Sequence, residues 1–231
     1  MKHYVVLFSG GVDSTTALYW ALARSSRVTA LSFEYGQRHR IEVEIGSKLI
    51  QKLNLSHELL TIDLAQIGGS ALTDPQISLP QGEGIDRLEK GPPATYVPFR
   101  NGIFLALAAA WSEVNNSRDL VCGFNVVDSP DYPDTRSPFV DAMEKTINLG
   151  TTAALAQVKF KLHAPFIQAK KSEIIRRGLE LGADYAYAIS CYAGQEVPCL
   201  LCSSCLLRKQ AWKEARHEDH LLTRLKKEGR I

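Results

Sequence analysis

The sequence predicts an α/β fold, a doubly wound and mostly parallel five-stranded sheet. Three observations predict it. Short β-rich runs alternate with helical patterns along nearly the whole chain, which implies a parallel sheet covered on both faces. The first run contains the continuous apolar stretch "YVVL". Directly after it comes "FSGGVDST", Phe8 to Thr15, a glycine-rich turn leading into the helical pattern "TALYWALA". Ligands on such sheets bind beyond the carboxyl ends of the strands, which is where this turn falls.

In chain order, strands are predicted at Tyr4–Phe8, Val28–Phe33, His57–Ile62, Leu120–Gly123 and Val158–His163. The first helix is predicted over Thr15–Arg24. In the second, Ile41, Ile45, Leu49 and Leu53 recur every four residues and form one apolar stripe. Further helices are predicted over Gly102–Glu113, Phe139–Leu149, Ser172–Leu181 and Ser203–Arg216. From 66 to 93 the alternation breaks into a segment rich in Gly, Pro and acidic residues, expected to be a lid-like or partly disordered loop rather than a domain boundary. The tail "HEDHLLTRLKKEGRI" is expected to form a short polar helix that frays. No linker divides the chain, so residues 1–231 are read as one domain.

Composition bounds the function. The 231 residues are 45% hydrophobic and 23% charged, enough for one sizeable core. A formal net charge of +2 is too balanced for wholesale binding of nucleic acid or an anionic membrane. No apolar run approaches the ~20 residues of a membrane helix, and the chain enters its first strand without a signal-like segment. A cytoplasmic protein is expected.

Four of the five cysteines fall close together, Cys191, Cys199, Cys202 and Cys205 in "CYAGQEVPCLLCSSC". A disulfide framework is not expected in a cytosolic chain. Four thiolates at this spacing satisfy Zn²⁺ completely and leave no open position, so such a site is structural. An iron–sulfur cluster uses the same ligands, and spacing alone leaves both open. Cys122 stands alone in "LVCGFN" and is read as a buried strand thiol.

The glycine-rich turn has the makings of an anion site. Backbone N–H groups at a helix start, with the positive end of the dipole behind them, attract phosphate. Gly10 and Gly11 permit close backbone approach, and Ser9, Ser14 and Thr15 add hydroxyl donors. Asp13 would repel phosphate unless a cation such as Mg²⁺ lies between them. The Gly-Lys-Ser/Thr ending of a Walker A loop is absent. The plainer alternative is a strand-to-helix turn with Asp13 or Ser14 as N-cap.

"SGGVDS" resembles the SGGxDS signature of the PP-loop ATP pyrophosphatases, which grip the pyrophosphate of ATP and adenylate a substrate oxygen. "YGQRH" (Tyr35–His39), "VPFRN" (Val97–Asn101), "YPDTR" (Tyr132–Arg136) and the cysteine cluster then resemble, in that order, the 7-cyano-7-deazaguanine synthase family. The resemblance runs from about Val5 to about Arg208, nearly the whole chain. It implies a PP-loop, adenine nucleotide alpha-hydrolase-like fold with a C-terminal zinc-binding segment at 191–205, and a homodimer. It also implies an ATP-dependent ligase using Mg²⁺ that turns a small-molecule 7-deazapurine, 7-carboxy-7-deazaguanine, and ammonia into the nitrile. No nucleic acid or membrane partner is expected, and free ammonia is the expected nitrogen source.

Carried onto this sequence, the resemblance assigns the nucleotide to Phe8, Ser9, Gly10, Gly11, Val12, Asp13, Ser14, Thr15, Thr16, Ala17 and Leu18, with Lys171 as an α-phosphate contact. Asp13, Lys171 and Arg100 are the expected catalytic residues, and Cys191, Cys199, Cys202 and Cys205 the zinc ligands. Substrate is assigned to Arg38, His39, Phe99, Arg100, Asn101, Asp128, Tyr132, Asp134 and Arg136. Asp128 and Asp134 would accept from the guanine-type donor edge, while Tyr132 and Phe99 offer flat surfaces for stacking. Arg100 suits bidentate contact with a carboxylate or phosphate; Arg136 would neutralise a phosphate or steady the aspartates. Each has a structural alternative: Asn101 as a helix cap, His39 as a solvated helix-start residue, and Lys171 as half of a surface lysine pair with Lys170.

The sequence departs from the family pattern at two places. The loop that in the family usually reads D-Y/F-S-G-Y-P-D-C-R is here "DSPDYPDTR", Asp128 to Arg136, and Phe99 stands where the family usually has glycine. Two other classes therefore stay open: a related PP-loop enzyme adenylating another carboxyl or carbonyl group on a deazapurine, an RNA or a protein, and a non-enzymatic nucleotide-sensing zinc module.

Overall fold

Successive side chains of a strand point to opposite faces, so an uninterrupted apolar strand needs cover on both sides. The computed structural model, which describes residues 2–38, 41–79, 92–127 and 131–231, shows how that cover is supplied. Strands β1 (His3–Leu7), β2 (Arg27–Glu34), β3 (Ser56–Thr61), β4 (Asp119–Val121) and β5 (Lys161–His163) form one sheet in the order β3-β2-β1-β4-β5. Every neighbouring pair is parallel. Helices α1 (Val12–Leu22), α2 (Ile41–Lys52), α3 (Arg100–Val114), α4 (Ser137–Gly150) and α5 (Lys171–Glu180) connect or follow the strands. Two C-terminal helices, α6 (Ser203–Ala215) and α7 (His220–Lys227), complete the chain.

The two faces of β1 show the double winding. Tyr4 and Val6 pack with Ala17 and Leu18 of α1, Leu49 and Ile50 of α2 and Ile174 of α5. Val5, between them, packs with Leu105 and Ala108 of α3 and Val140 and Ile147 of α4. The expected doubly wound five-stranded sheet is thus present, with all pairs parallel rather than most. From β1 the chain builds outward through β2 and β3, then returns to the other side of β1 for β4 and β5. That reversal makes the crevice beyond β1 and β4 the switch point at which such sheets bind ligands.

Two element starts shift by three residues, each for a local reason. Helix α1 begins at Val12, three residues before the expected start, so the "SGG" turn abuts its first N–H groups directly. Strand β5 begins at Lys161 rather than Val158, because the Asn148 side chain occupies the backbone of Phe160: Asn148 Oδ1 accepts its N–H at 2.7 Å and Nδ2 donates to its carbonyl at 2.9 Å. Val158 is left 65% exposed.

The tail forms the expected short helix, but its apolar side is packed into the core rather than frayed. Residues His220–Lys227 form α7, with Leu221 and Leu225 fully buried against Ile45, Ile189 and the cysteines. Asp219 caps this helix by accepting from the Leu221 N–H at 3.0 Å. The same carboxylate takes both Nε and Nη2 of the buried Arg208, at 2.6 and 2.7 Å. Arg208 Nη1 donates in turn to the Ala188 carbonyl at 2.7 Å, so one buried ion pair ties α6 and α7 to the segment before Cys191.

Within the long loop, 66–79 and 92–93 belong to the described residues and 80–91 lie outside them. Ala71 and Leu72 are buried, and Ala71 N–H donates to the Ala94 carbonyl at 2.8 Å, which joins the two described ends. No helix among the described residues is long and apolar enough to cross a membrane.

Candidate active site and metal centre

The turn after β1 sits at the switch point because glycines let three backbones converge there. Gly10 has φ +83°, and a Cβ on it would stand 2.2 Å from the Glu42 carbonyl of α2. Gly123, just beyond β4, would place a Cβ 2.7–2.9 Å from the backbone of Asp13 and Ser14. Side chains at either position would push the flanking elements away from the start of α1. The N-cap is Gly11, which makes no side-chain capping bond, so neither Asp13 nor Ser14 plays that part. Ser14 Oγ instead accepts from the Ser9 N–H at 3.3 Å and donates to the Gly11 carbonyl at 3.1 Å, bracing the turn from inside.

Of the residues assigned to the nucleotide, Ser9, Gly11 and Asp13 are not fully buried, whereas Phe8, Val12, Thr15, Thr16, Ala17 and Leu18 lie in the core beneath. Thr16 supports the helix start from below: its hydroxyl meets the Tyr185 hydroxyl at 2.6 Å, and Tyr185 is fully buried. Asp13 Oδ2 accepts from Lys171 Nζ at 2.7 Å, and Asp13 Oδ1 is buried without a hydrogen-bond partner among the described residues. That oxygen fits a Mg²⁺ ligand, a hard donor in the first turn of α1 and not otherwise satisfied.

A second group lies at the start of α3. Arg100 Nη1 donates to the Tyr35 hydroxyl at 3.1 Å, and its guanidinium lies 5.6 Å from the Tyr35 ring centre and 5.9 Å from that of Phe104. Tyr132 and Asp134 lie within its electrostatic reach. Asn101 is not the cap of α3. Its N–H donates to Asp134 Oδ2 at 3.1 Å and its Nδ2 to the Asp134 carbonyl at 3.3 Å, so Asp134 satisfies the helix start. Asp134 Oδ1 is buried with no partner among the described residues. Tyr132 is held by a 2.8 Å bond between its hydroxyl and that of Thr95.

Phe99 precedes α3 at φ +53°, the left-handed conformation that explains why glycine suits this position. Phe99 is 53% exposed, and its ring covers Gly102, where a Cβ would stand 2.4 Å from Phe99 Cζ. Arg38 is exposed, and its guanidinium donates to the Asp74 carbonyl at 2.8 Å. Arg136 is the exposed N-cap residue of α4. His39 and Asp128 lie outside the described residues.

Two neighbours of this site were missed. Glu42, in the first turn of α2, has its carboxyl pushed up to about 8, by burial first, against the pull of Arg100. Ser190 lies beside Gly11, where an added Cβ would come 3.6 Å from its hydroxyl. A carboxylate one residue inside an apolar helix stripe was the available signal for Glu42. Only the fold brings Ser190 there.

The sulfurs of Cys191, Cys199, Cys202 and Cys205 all lie within 4.8 Å of one another. A tetrahedral ion with Zn–S bonds of about 2.3 Å sets its sulfurs about 3.8 Å apart, so the four fit zinc. The local backbone already serves sulfur: Cys199 N–H donates to Cys191 Sγ at 3.2 Å and Cys202 N–H to Cys199 Sγ at 3.4 Å. Hydrogen bonding from Cys191 and Cys205 holds the Cys202 thiol far below its ordinary range, and the same crowding pushes Cys205 up. Cys122 behaves as expected of a strand thiol, buried and pushed up to about 12 by that burial.

A family model described as queuosine biosynthesis protein QueC matches residues 3–216. The 7-cyano-7-deazaguanine synthase of Clostridium kluyveri is 44% identical over 222 residues, covering 95% of this chain and 96% of the relative. The enzyme of the same name from Dechloromonas aromatica is 44% identical over 227 residues, covering 97% and 99%. Among solved structures, NMN synthetase from Francisella tularensis superposes with a TM-score of 0.50 at 14% identity, over 97% of this chain and 82% of that one. At that identity the likeness concerns the fold alone.

Proposed function

The chain belongs to the QueC family of queuosine biosynthesis proteins, and from that premise we propose that it is an ATP-dependent ligase making 7-cyano-7-deazaguanine from 7-carboxy-7-deazaguanine and ammonia. The observation that supports this most is the placement of the matched "SGGVDS" turn at the sheet's switch point, with Asp13 and Lys171 facing each other across it.

The chemistry sets what the site must do. A carboxylate resists ammonia because oxide is its leaving group. Attack of the carboxylate on the α-phosphorus of ATP releases pyrophosphate and leaves an acyl adenylate. Ammonia adds to that carbonyl carbon, AMP departs, and a proton is lost to give the amide. The amide oxygen is then adenylated by a second ATP, with pyrophosphate released again. Loss of AMP and of the remaining N–H protons leaves the nitrile.

Charge gathers on phosphate oxygens in both activations, and fixed donors are the largest lever on such steps. Lys171 offers an ammonium at the mouth of the turn, and the first N–H groups of α1 add a preorganised dipole. Mg²⁺, when bound, supplies charge neutralisation on the phosphates, and Asp13 is the residue that would hold it. Arg100 is placed to orient the substrate carboxylate, with Tyr35 fixing its guanidinium. Asp134 accepts from the heterocycle's donor edge through the oxygen that α3 leaves unused.

The test is direct. Purified protein is given 7-carboxy-7-deazaguanine, ammonium, Mg²⁺ and ATP, and products are followed by mass spectrometry and phosphorus NMR. Amide and then nitrile, with AMP and pyrophosphate, are expected. ADP and phosphate alone, or ATP binding with neither amide nor nitrile formed, would turn the assignment toward another substrate.

A further inference from the structure

We propose that Ser190 is a phosphate-binding residue of the nucleotide site, delivered to the β1–α1 turn by the segment that carries the first cysteine of the metal centre. The proposal deepens the reading above and rests on it.

The geometry begins at Gly11. Where a side chain would leave Gly11, the two nearest side-chain atoms are hydroxyl oxygens, Ser9 Oγ at 3.4 Å and Ser190 Oγ at 3.6 Å from the position of an added Cβ. The gap left by the missing side chain is therefore rimmed by two hydroxyl oxygens, with the Ile189 carbonyl oxygen behind them at 3.8 Å, and lies at the positive end of α1. Ser9 Oγ is already engaged, accepting from the Gly11 N–H at 3.3 Å and meeting Ser14 Oγ at 3.1 Å. Ser190 Oγ makes no hydrogen bond among the described residues, and Ser190 is only part-buried. A hydroxyl in this position has a proton to give to an anion in the turn.

The position is fixed from both sides. The preceding residue is tied to the turn itself, since Ile189 N–H donates to the Gly10 carbonyl at 3.0 Å. Ile189 is fully buried, and Ala188 is held through its carbonyl by Arg208. The following residue is Cys191, a member of the four-sulfur group. Ser190 thus has little freedom to leave the turn while Cys191 is held. The same link gives the metal centre a role in nucleotide binding as well as in folding.

Calorimetric titration of the zinc-loaded protein with Mg²⁺-ATP, and separately with inorganic pyrophosphate, tests this with Ser190→Ala. A hydrogen bond to a charged group contributes about 1.5–3 kcal/mol, so Ser190→Ala should weaken both ligands by about 10- to 100-fold. Zinc content and melting temperature should be unchanged. Equal affinity in wild type and variant overturns the proposal. So does a loss of affinity that is accompanied by lost zinc or lowered melting, because the effect then runs through the fold. A loss for ATP with pyrophosphate unaffected also overturns it, placing the contact elsewhere on the nucleotide. If the wild type binds neither ligand, the nucleotide reading itself fails, which the titration shows independently of the variant.

Discussion

Lys171 and Asp13 are 158 positions apart in the chain, yet the lysine ammonium donates to the aspartate across 2.7 Å. Each stands in the first turn of its helix, α5 and α1. A lysine there opposes the helix dipole, whereas an aspartate complements it, so the carboxylate offsets the misplaced cation. A lysine held against its own helix's preference beside the glycine-rich turn is what the proposed α-phosphate contact requires.

Asp13→Ala should lower ATP turnover by at least about 100-fold, the scale of losing one fixed electrostatic partner in such reactions. The side chain contributes little to the core, so the melting temperature should move by only a few degrees. Pyrophosphate release and a thermal melt check the two halves. Near-native turnover in the variant removes Asp13 from the machinery.

What was legible in the sequence was local. An apolar run followed by two glycines and an aspartate announces β1 and the start of α1, because the strand, turn and helix dipole are all made by neighbours. The cysteines announce their site for the same reason, with four ligands within fifteen residues. Asp134 was legible as a substrate residue through the resemblance of "YPDTR", but not as a partner of α3. Its bond to the Asn101 N–H depends on the loop before α4 returning to the start of α3. In α7, Leu221 and Leu225 carried the helical spacing of a buried stripe and Asp219 the cap, but surrounding charge concealed both. Ser190 had no local signal, since a serine before a cysteine gains meaning only from Gly11 beside it.

The metal centre should hold about one zinc per chain, measured by elemental analysis. Cys202→Ser should lower both zinc content and thermal stability, because a lost thiolate leaves the ion an incomplete shell and structural zinc contributes to folding directly. The effect should spread to α7, whose Leu221 and Leu225 pack in the same cluster as the cysteines. Hydrogen exchange across 219–227 in the metal-free protein reads that spread. Unchanged melting after chelation would mean that the cluster is dispensable.

Asp134 is expected to carry two separable roles. Asp134→Ala removes the acceptor for the Asn101 N–H and should cost about 1–2 kcal/mol of stability, the scale of a lost helix cap. Asp134→Asn keeps an acceptor oxygen and should cost less. If the unused oxygen binds the heterocycle, the asparagine variant should still raise KM for 7-carboxy-7-deazaguanine strongly and leave KM for ATP nearly unchanged. Kinetics with each substrate varied in turn, beside denaturant melts, separate the roles. Wild-type KM in Asp134→Asn would leave capping as its whole function.

Glu42 gives a pH signature that belongs to the folded chain alone. Burial raises its carboxyl from an ordinary 4.5 to about 8, with Arg100 pulling the other way and the Cys202 sulfur adding to the rise. Between those two values the folded protein keeps a proton that the unfolded chain has released. The folded state then binds more protons, so stability falls as pH rises. Glu42's contribution is complete below about pH 4.5 and is lost as pH climbs through about 8. Glu42→Gln keeps the shape and cannot titrate, so it should gain on the wild type across this window, by about 4 kcal/mol between pH 5 and 9. Titrations of groups remote from Glu42 are common to both proteins and cancel in the difference. Melting temperatures of the zinc-loaded pair, taken from pH 5 to 9, provide the check. Parallel curves would mean that Glu42 is ionised throughout, with Arg100 rather than burial governing its proton.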